Sequence, residues 1–255
     1  MKTLVIMPTY NEREALPISV AHLRATVPEV DVLVVDDASP DGTGAWAEAA
    51  AATDPQLNVL HRAGKEGLGR AYLDGFRWAL ARDYDAVVEM DADGSHRPED
   101  LPALLAAAQA TPRPDLVIGS RWVEGGAVVN WPWTRQLISK LGTGYARVAL
   151  RLTVRDATAG FRVYPARTLQ RLPLAQVESQ GYCFQIDMTW RVARARGRIV
   201  EVPITFVERT QGTSKMSRAI ALEAITRLTE WGLDDRRRRW RLRVDRWGQA
   251  LRRRA

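Results

Sequence analysis

Short apolar runs alternate with longer amphipathic segments through the first half of the chain. Leu4–Met7, Val30–Val35, Leu57–Leu60, Ala86–Met90 and Leu116–Gly119 are rich in Val, Ile and Leu and bounded by polar residues, the pattern of short buried strands. Between them, Glu14–Thr26, Gly44–Ala52, Leu68–Ala81 and Pro98–Ala110 carry Ala and Leu at helical spacing, and Pro98-Glu99 opens the last of these as helix starts prefer. Strands and helices alternating at this interval predict βαβ units and a mostly parallel sheet. The second half is more mixed. Helices are expected over Thr134–Leu152 and Phe184–Ala195, and strands over Ala159–Tyr164 and Ile199–Phe206. There is no internal repeat and no low-complexity linker before an Arg-rich C-terminal stretch.

At 255 residues, 46% hydrophobic and 26% charged, the chain has the length and composition of one large α/β domain with an appendage. The single cysteine, Cys183, excludes an internal disulfide. The first strand is too short an apolar core for a signal peptide, and no run of membrane-spanning length is free of charge. The net charge of +7 belongs to the tail: Arg236–Ala255 holds ten Arg and one Asp, a net of +9, which leaves −2 on residues 1–235. A near-neutral body argues against nucleic acid as a partner and for a local electrostatic contact at the C-terminus.

The candidate chemistry lies where predicted strands end. The fourth strand runs into Asp91-Ala92-Asp93-Gly94-Ser95-His96. Two carboxylates spaced i, i+2 at a strand end leave on one side and suit Mg²⁺ or Mn²⁺ that keeps waters and also holds phosphates. Asp and Gly also form plain turns, so taken alone the segment fits a solvated turn better than a metal site, and the rest of the chain must decide. The first strand ends in Pro8-Thr9-Tyr10-Asn11-Glu12 and the second in Asp36-Asp37-Ala38-Ser39-Pro40-Asp41-Gly42-Thr43. Carboxyl ends of parallel strands are where open α/β sheets bind ligands, so Thr9, Asn11, Asp36 and Asp37 are candidates for a ribose or base. No glycine-rich phosphate loop of the familiar types is present, which leaves phosphates to metal carboxylates and cations.

These segments, with Gly119-Ser120-Arg121, occur in the order seen in family 2 glycosyltransferases of the GT-A fold, an α/β fold with a mostly parallel mixed sheet flanked by helices. Ala159-Gly160-Phe161-Arg162, Gly181-Tyr182-Cys183-Phe184-Gln185-Ile186-Asp187-Met188 and Glu208-Arg209-Thr210-Gln211-Gly212-Thr213-Ser214-Lys215-Met216 resemble the polyprenyl (dolichyl) phosphate mannose synthases. The resemblance covers about residues 1–230, read as the catalytic domain, with 231–255 as a basic amphipathic tail. It implies inverting transfer of mannose from GDP-mannose to a polyprenyl monophosphate with a divalent metal, Mg²⁺ or Mn²⁺. The same fold using UDP-glucose or UDP-N-acetylglucosamine is the nearest alternative. A nucleotidyltransferase, or a non-enzymatic adaptor, fits the motifs less well.

The resemblance implies roles residue by residue. Asp91 and Asp93 hold the metal against the diphosphate, with Ser95 as a third ligand where the family often has Gln. Pro8, Thr9, Tyr10, Asn11, Glu12, Asp36, Asp37, Ala92, Arg209 and Lys215 contact the donor. Arg121, Arg135, Arg209 and Lys215 meet the acceptor phosphate, with Arg162 as a further candidate, since arginine suits bidentate phosphate contact. Asp91, Asp93 and Arg121 form the catalytic set. No base is required, because a phosphate monoester with a second pKa near ~6 is already largely ionised. Asp187 is therefore read as structural, and His96 as a support rather than a ligand of a hard metal.

Trp240, Val244, Trp247 and Leu251 recur at helical spacing among the tail arginines, a pattern suited to an anionic membrane surface; a helix packed on the body, or an unstructured basic tail, is the alternative. The expected location is peripheral, at the cytoplasmic face of a membrane, with a separate membrane-anchoring protein as a candidate partner. Thr134–Leu152 is a second candidate surface helix, equally explained by core packing.

Overall fold

The computed structural model describes residues 1–179, 181–208 and 225–237, with Tyr182 described by its backbone alone. A seven-stranded sheet has the order β3-β2-β1-β4-β7-β5-β8, formed by β1 (Thr3–Thr9), β2 (Asp31–Asp36), β3 (Leu57–His61), β4 (Ala86–Glu89), β5 (Leu116–Ser120), β7 (Arg162–Pro165) and β8 (Ile199–Pro203). Every pairing is parallel except those of β7, which runs antiparallel between β4 and β5. A separate ribbon pairs β6 (Ala127–Val129) with β9 (Thr205–Val207).

Strands β1 and β4 are buried along both faces, as their unbroken apolar sequences require. On one face Val5, Met7, Val32, Val34 and Val88 pack against α1 (Ala15–Thr26), α2 (Thr43–Ala51) and α4 (Leu101–Gln109). On the other, Leu4, Ile6, Leu33 and Val87 pack against α3 (Leu68–Leu80), α5 (Trp133–Leu150), α6 (Ala166–Arg171) and α7 (Gly181–Arg194). Gly75 lets α3 lie directly on β1, since a Cβ there would come within 2.7 Å of Ile6.

The expected helices and the first five strands form within a residue or two of their predicted limits, except that the helix expected from Phe184 already begins at Gly181. Two strands differ. The one expected from Ala159 begins at Arg162, because Ala159–Phe161 form a loop that Arg162 Nε ties down through the Ala159 carbonyl at 2.7 Å. The one expected over Ile199–Phe206 breaks at Ile204. Pro203 has no N–H to continue the ladder, and the chain leaves β5 to pair with β6. Residues 225–237 are helical and pack on the body: Trp231 stacks on Trp190 at 5.7 Å, and Thr229 Oγ1 lies 2.6 Å from the Tyr145 hydroxyl. The domain limit expected after residue 230 falls inside this helix.

Candidate active site

The carboxyl ends of β1, β2 and β4 sit side by side, so their three polar loops share one edge of the sheet. Strand β5 runs parallel to them beyond β7 and brings Arg121 to the same edge, while the loop entering β7 brings Asp156–Phe161 there. The edge is assembled from five chain segments.

The first two loops are knit together. Asp36, buried, accepts from Thr9 Oγ1 at 2.9 Å and from the Ser39 hydroxyl and amide at 2.6 and 3.0 Å. The Asn11 amide donates to Ser39 Oγ at 3.1 Å and the Glu12 amide to Thr43 Oγ1 at 3.0 Å. Asp41 holds the start of α2 by accepting from the Thr43 amide and hydroxyl at 3.0 and 2.6 Å. Asn11 and Ala38 take left-handed backbone angles at these bends (φ 59° and 54°), an arrangement tolerated where surrounding bonds fix it. Asp37 pairs with Arg62, which also holds Asp74 at 2.8 Å and Glu66 at 2.9 Å. Burial raises the Asp37 pKa and the Arg62 guanidinium opposes that rise. Lys65 Nζ lies over the Tyr10 ring at 3.9 Å, and Pro8 is partly buried beside them.

The acidic turn after β4 is braced from behind. His96, 2% exposed, accepts the Asp91 amide hydrogen at Nδ1 (2.9 Å), so a neutral ring carries its proton on Nε2, 3.9 Å from Asp91 Oδ2. The ring stacks on Phe161 at 5.0 Å and meets Phe206 edge-on at 5.5 Å. Gly160 leaves room for it: a Cβ there would stand 3.2 Å from His96 Cε1. The Tyr72 hydroxyl reaches Asp91 Oδ1 at 3.5 Å, and burial together with the Asp91 charge holds its pKa well above the usual phenol range, so it keeps the proton it donates. Gly94, with φ 77°, makes the bend, and Asp93 Oδ1 accepts the Ser95 amide at 3.0 Å. Ala92 is buried, its carbonyl accepting from Ser19 Oγ at 2.8 Å. Ser95 Oγ is buried with no hydrogen-bond partner.

A divalent metal suits this donor set. Carboxylate and hydroxyl oxygens are the donor type that Mg²⁺ and Mn²⁺ prefer, and Ser95 Oγ is buried with its hydrogen-bonding capacity unused; among the described residues there is no cluster of three or more His, Cys, Asp or Glu.

On the far side lies a cluster of cations and aromatic rings. Arg121 is nearly enclosed; its Nε and Nη2 grip Asp156 at 2.7 Å each, and Nη2 also reaches Thr158 at 2.9 Å. Its guanidinium lies 5.2–5.6 Å from the rings of Trp122, Trp131 and Phe206. Arg135 sits over Trp131 at 4.4 Å and pairs with Glu208. Phe206 touches both His96 and Trp131, so the acidic turn and the cationic cluster are joined by packed side chains. Arg162 lies elsewhere. It is fully buried beneath the site, donating to the carbonyls of Ala157, Ala159 and Gln185, with Glu89 at 4.0 Å, and cannot meet a phosphate. Asp187 accepts from Ser179 at 2.9 Å and Arg191 at 2.7 Å, which fixes α7 as the structural reading expects. Arg209 and Lys215 lie outside the described residues, as do residues 238–255 of the tail. Sequence reasoning passed over Arg62, Tyr72, Trp122, Trp131, Asp156 and Phe206. Asp156-Ala157-Thr158 stands directly before a motif it did single out, and that adjacency was the available signal.

A sheet edge that combines paired carboxylates on a turn, acidic and hydroxyl side chains on the neighbouring strand ends, and a separate cationic cluster fits a transferase acting on a nucleotide-activated group. The chain belongs to glycosyl transferase family 2, whose pattern it matches over residues 4–172. It is 59% identical over 233 residues to the undecaprenyl-phosphate mannosyltransferase of Micrococcus luteus, covering 91% of this chain and 95% of the relative. It is 52% identical over 236 residues to the polyprenol monophosphomannose synthase of Mycolicibacterium smegmatis, covering 92% and 88%. Among solved structures, glucosyl-3-phosphoglycerate synthase of Mycobacterium tuberculosis, in complex with Mn²⁺, UDP and its product, superposes with a TM-score of 0.66 at 20% identity over 92% of this chain and 79% of that one. A mannosyltransferase of Pyrobaculum calidifontis in complex with GDP-mannose and Mn²⁺ gives 0.56 at 19% identity over 84% and 58%. At those identities the two structures speak for the shared GT-A fold.

Proposed function

We propose that the protein is an inverting mannosyltransferase that moves mannose from GDP-mannose to a polyprenyl monophosphate, with a divalent metal, at a membrane surface. The observation that carries this reading is the Asp91-Ala92-Asp93 turn, braced by His96 and Tyr72 at the sheet edge, in a chain 59% and 52% identical over the aligned residues to polyprenyl phosphate mannosyltransferases. Asp91 and Asp93, with Ser95 Oγ, hold the metal, which when bound neutralises charge on the departing diphosphate. The Thr9–Asp36–Ser39 and Asp37–Arg62 networks shape the loops that carry Pro8–Glu12, so the nucleoside meets a pre-formed wall.

The acceptor phosphate is already an anion and attacks without giving up a proton, so the site needs cations more than a base. Arg135 is the described cation best placed for it. It is partly exposed and exchanges Glu208 for the phosphate. Arg121, locked to Asp156, supplies positive potential and holds the rings around the acceptor. Arg209 and Lys215 complete the set in this proposal. The choice of Mg²⁺ or Mn²⁺ follows from assay, and the cytoplasmic face from where GDP-mannose is supplied. No described helix is long and apolar enough to cross a membrane, which fits peripheral attachment.

The test replaces both carboxylates. Asp91→Asn with Asp93→Asn keeps shape but removes the charged oxygens. Transfer should fall by at least about a thousandfold if the metal supplies several kcal/mol of charge stabilisation. Far-ultraviolet dichroism should be unchanged. Retained transfer in a folded variant refutes the assignment.

A further inference from the structure

Arg121 is gripped by a residue that is itself gripped. Asp156, fully buried, accepts from the Arg121 amide at 3.0 Å and from its Nε and Nη2 at 2.7 Å each. Asp156 belongs to the loop between α5 and β7. Side chains on loops are held less accurately than those on strands or helices, so a grip with this geometry needs the loop itself to be fixed. It is fixed from two sides. Arg162 draws in the carbonyls of Ala157 and Ala159 at 2.8 and 2.7 Å. Glu201 of β8 gives one carboxylate oxygen to the Arg155 amide at 2.7 Å and the other to the Asp156 amide at 2.9 Å.

We propose that Glu201 is a positioning residue for the transfer: through the Asp156 amide it sets the Arg121 guanidinium, and with it the acceptor end of the site. The inference rests on the reading of the acceptor as a phosphate. Topology supports it. Strand β8 lies at the edge of the sheet beside β5, with Glu201 opposite Ile118 and Pro203 opposite Ser120. One strand pair therefore supports both sides of the grip, since β5 leads directly into Arg121 and β8 reaches over to hold Asp156. Energetics point the same way. A hydrogen bond to an ionised acceptor is about twice as strong as a neutral one. Two consecutive amides on one carboxylate also fix the direction of the loop as well as its distance. The consequence lies at the acceptor end. The Arg121 guanidinium stands 5.2–5.6 Å from the rings of Trp122, Trp131 and Phe206, and Arg135 rests on Trp131 at 4.4 Å. A shift of Asp156 moves Arg121 against the rings that carry Arg135. The donor loops after β1 and β2 share none of the described bonds in this chain of contacts.

The experiment compares Glu201→Ala and Glu201→Gln with the wild type, all as the full chain. The first readout uses no substrate. Phenylglyoxal modifies free guanidinium groups, and mass spectrometry of the peptide holding Arg121 gives its rate of modification. Arg24 on α1, paired with Asp54 at 2.9 Å, is the internal control. Arg121 should react about tenfold or more faster in Glu201→Ala, the effect of losing hydrogen bonds to a charged group, while Arg24 keeps its wild-type rate. The second readout is steady-state transfer from GDP-mannose to a short, water-soluble prenyl phosphate with Mn²⁺. The acceptor KM should rise about 10- to 100-fold, as a small misplacement set from a distance can cause, and the GDP-mannose KM should stay unchanged. Glu201→Gln keeps one accepting oxygen and should fall between alanine and wild type in both readouts; if the alanine variant does not fold, the glutamine variant decides by the same two criteria. Modification of Arg121 at the wild-type rate overturns the proposal. So does a rise in both KM values together, which is what a general loosening of the fold would give. A wild type that fails to transfer mannose to the short acceptor counts against the functional reading alone, because the modification of Arg121 is read without substrate.

Discussion

His96 contributes to the site through a backbone hydrogen bond. Its Nδ1 fixes the Asp91 amide, and its ring is clamped between Phe161 and Phe206. His96→Ala removes the clamp without touching either carboxylate. The concentration of Mn²⁺ needed for half-maximal activity should rise about 10- to 100-fold, the usual effect of losing a residue that orients a metal ligand. Titration of Mn²⁺ into enzyme and GDP, read by calorimetry, checks this without turnover. Beneath the same turn, Glu89 is fully buried and burial pushes its pKa up from 4.5 to about 8. The folded state then holds this proton more tightly than the unfolded chain. The associated stability is complete below the unfolded value of 4.5 and is lost as pH rises through about 8. Glu89→Gln mimics the protonated form, so urea unfolding between those pH values should flatten by an amount on the order of a few kcal/mol. A variant whose stability keeps the wild-type slope contradicts the assignment. The carboxylate turn, the strand-end clusters and Arg121 were legible as residue types. Their partners were not. Asp156 lies 35 residues from Arg121 and Arg62 lies 25 from Asp37, and only the folded sheet brings such pairs together.

Alternating apolar and amphipathic segments sufficed to place five parallel strands and their helices, because the inner strands are buried on both faces and the helices on one, and even the half-buried edge strand β3 keeps an apolar sequence. The second half resisted because its elements answer to distant neighbours. Strand β7 is short, inserts antiparallel between β4 and β5, and is preceded by a loop that Arg162 secures. Residues 199–207 read as one strand yet serve two sheets. Strand β6, three residues long, has too little sequence to signal itself. Close packing between elements gives a further prediction. A Cβ at Gly69 on α3 would stand 2.7 Å from the Ser179 carbonyl and 2.9 Å from the Phe184 ring. Gly69→Ala should destabilise the protein by about 1–3 kcal/mol despite alanine's better helix propensity, since backbone cannot yield as a flexible side chain does. Denaturant unfolding measures it, and an unchanged midpoint shows that α3 and α7 separate more easily than this packing implies.

On the scale of the molecule, one edge of the sheet gathers the chemistry and one flank gathers the cations. The body is close to neutral, and its acidic turn lies apart from the cations Arg121, Arg135 and Lys140, which gather around the Trp122 and Trp131 rings. The basic segment that follows residue 237 adds a salt-sensitive attraction to an anionic surface in this account, which suits an enzyme that takes one substrate from water and the other from a bilayer. The central claim is the pairing of those substrates. The most direct measurement incubates the purified protein with Mg²⁺ or Mn²⁺, a polyprenyl phosphate and, separately, GDP-mannose, UDP-glucose and UDP-N-acetylglucosamine, and follows glycolipid formation. The account predicts metal-dependent product with GDP-mannose alone; product from a UDP-sugar in its place, or undiminished turnover after the metal is chelated, would contradict it.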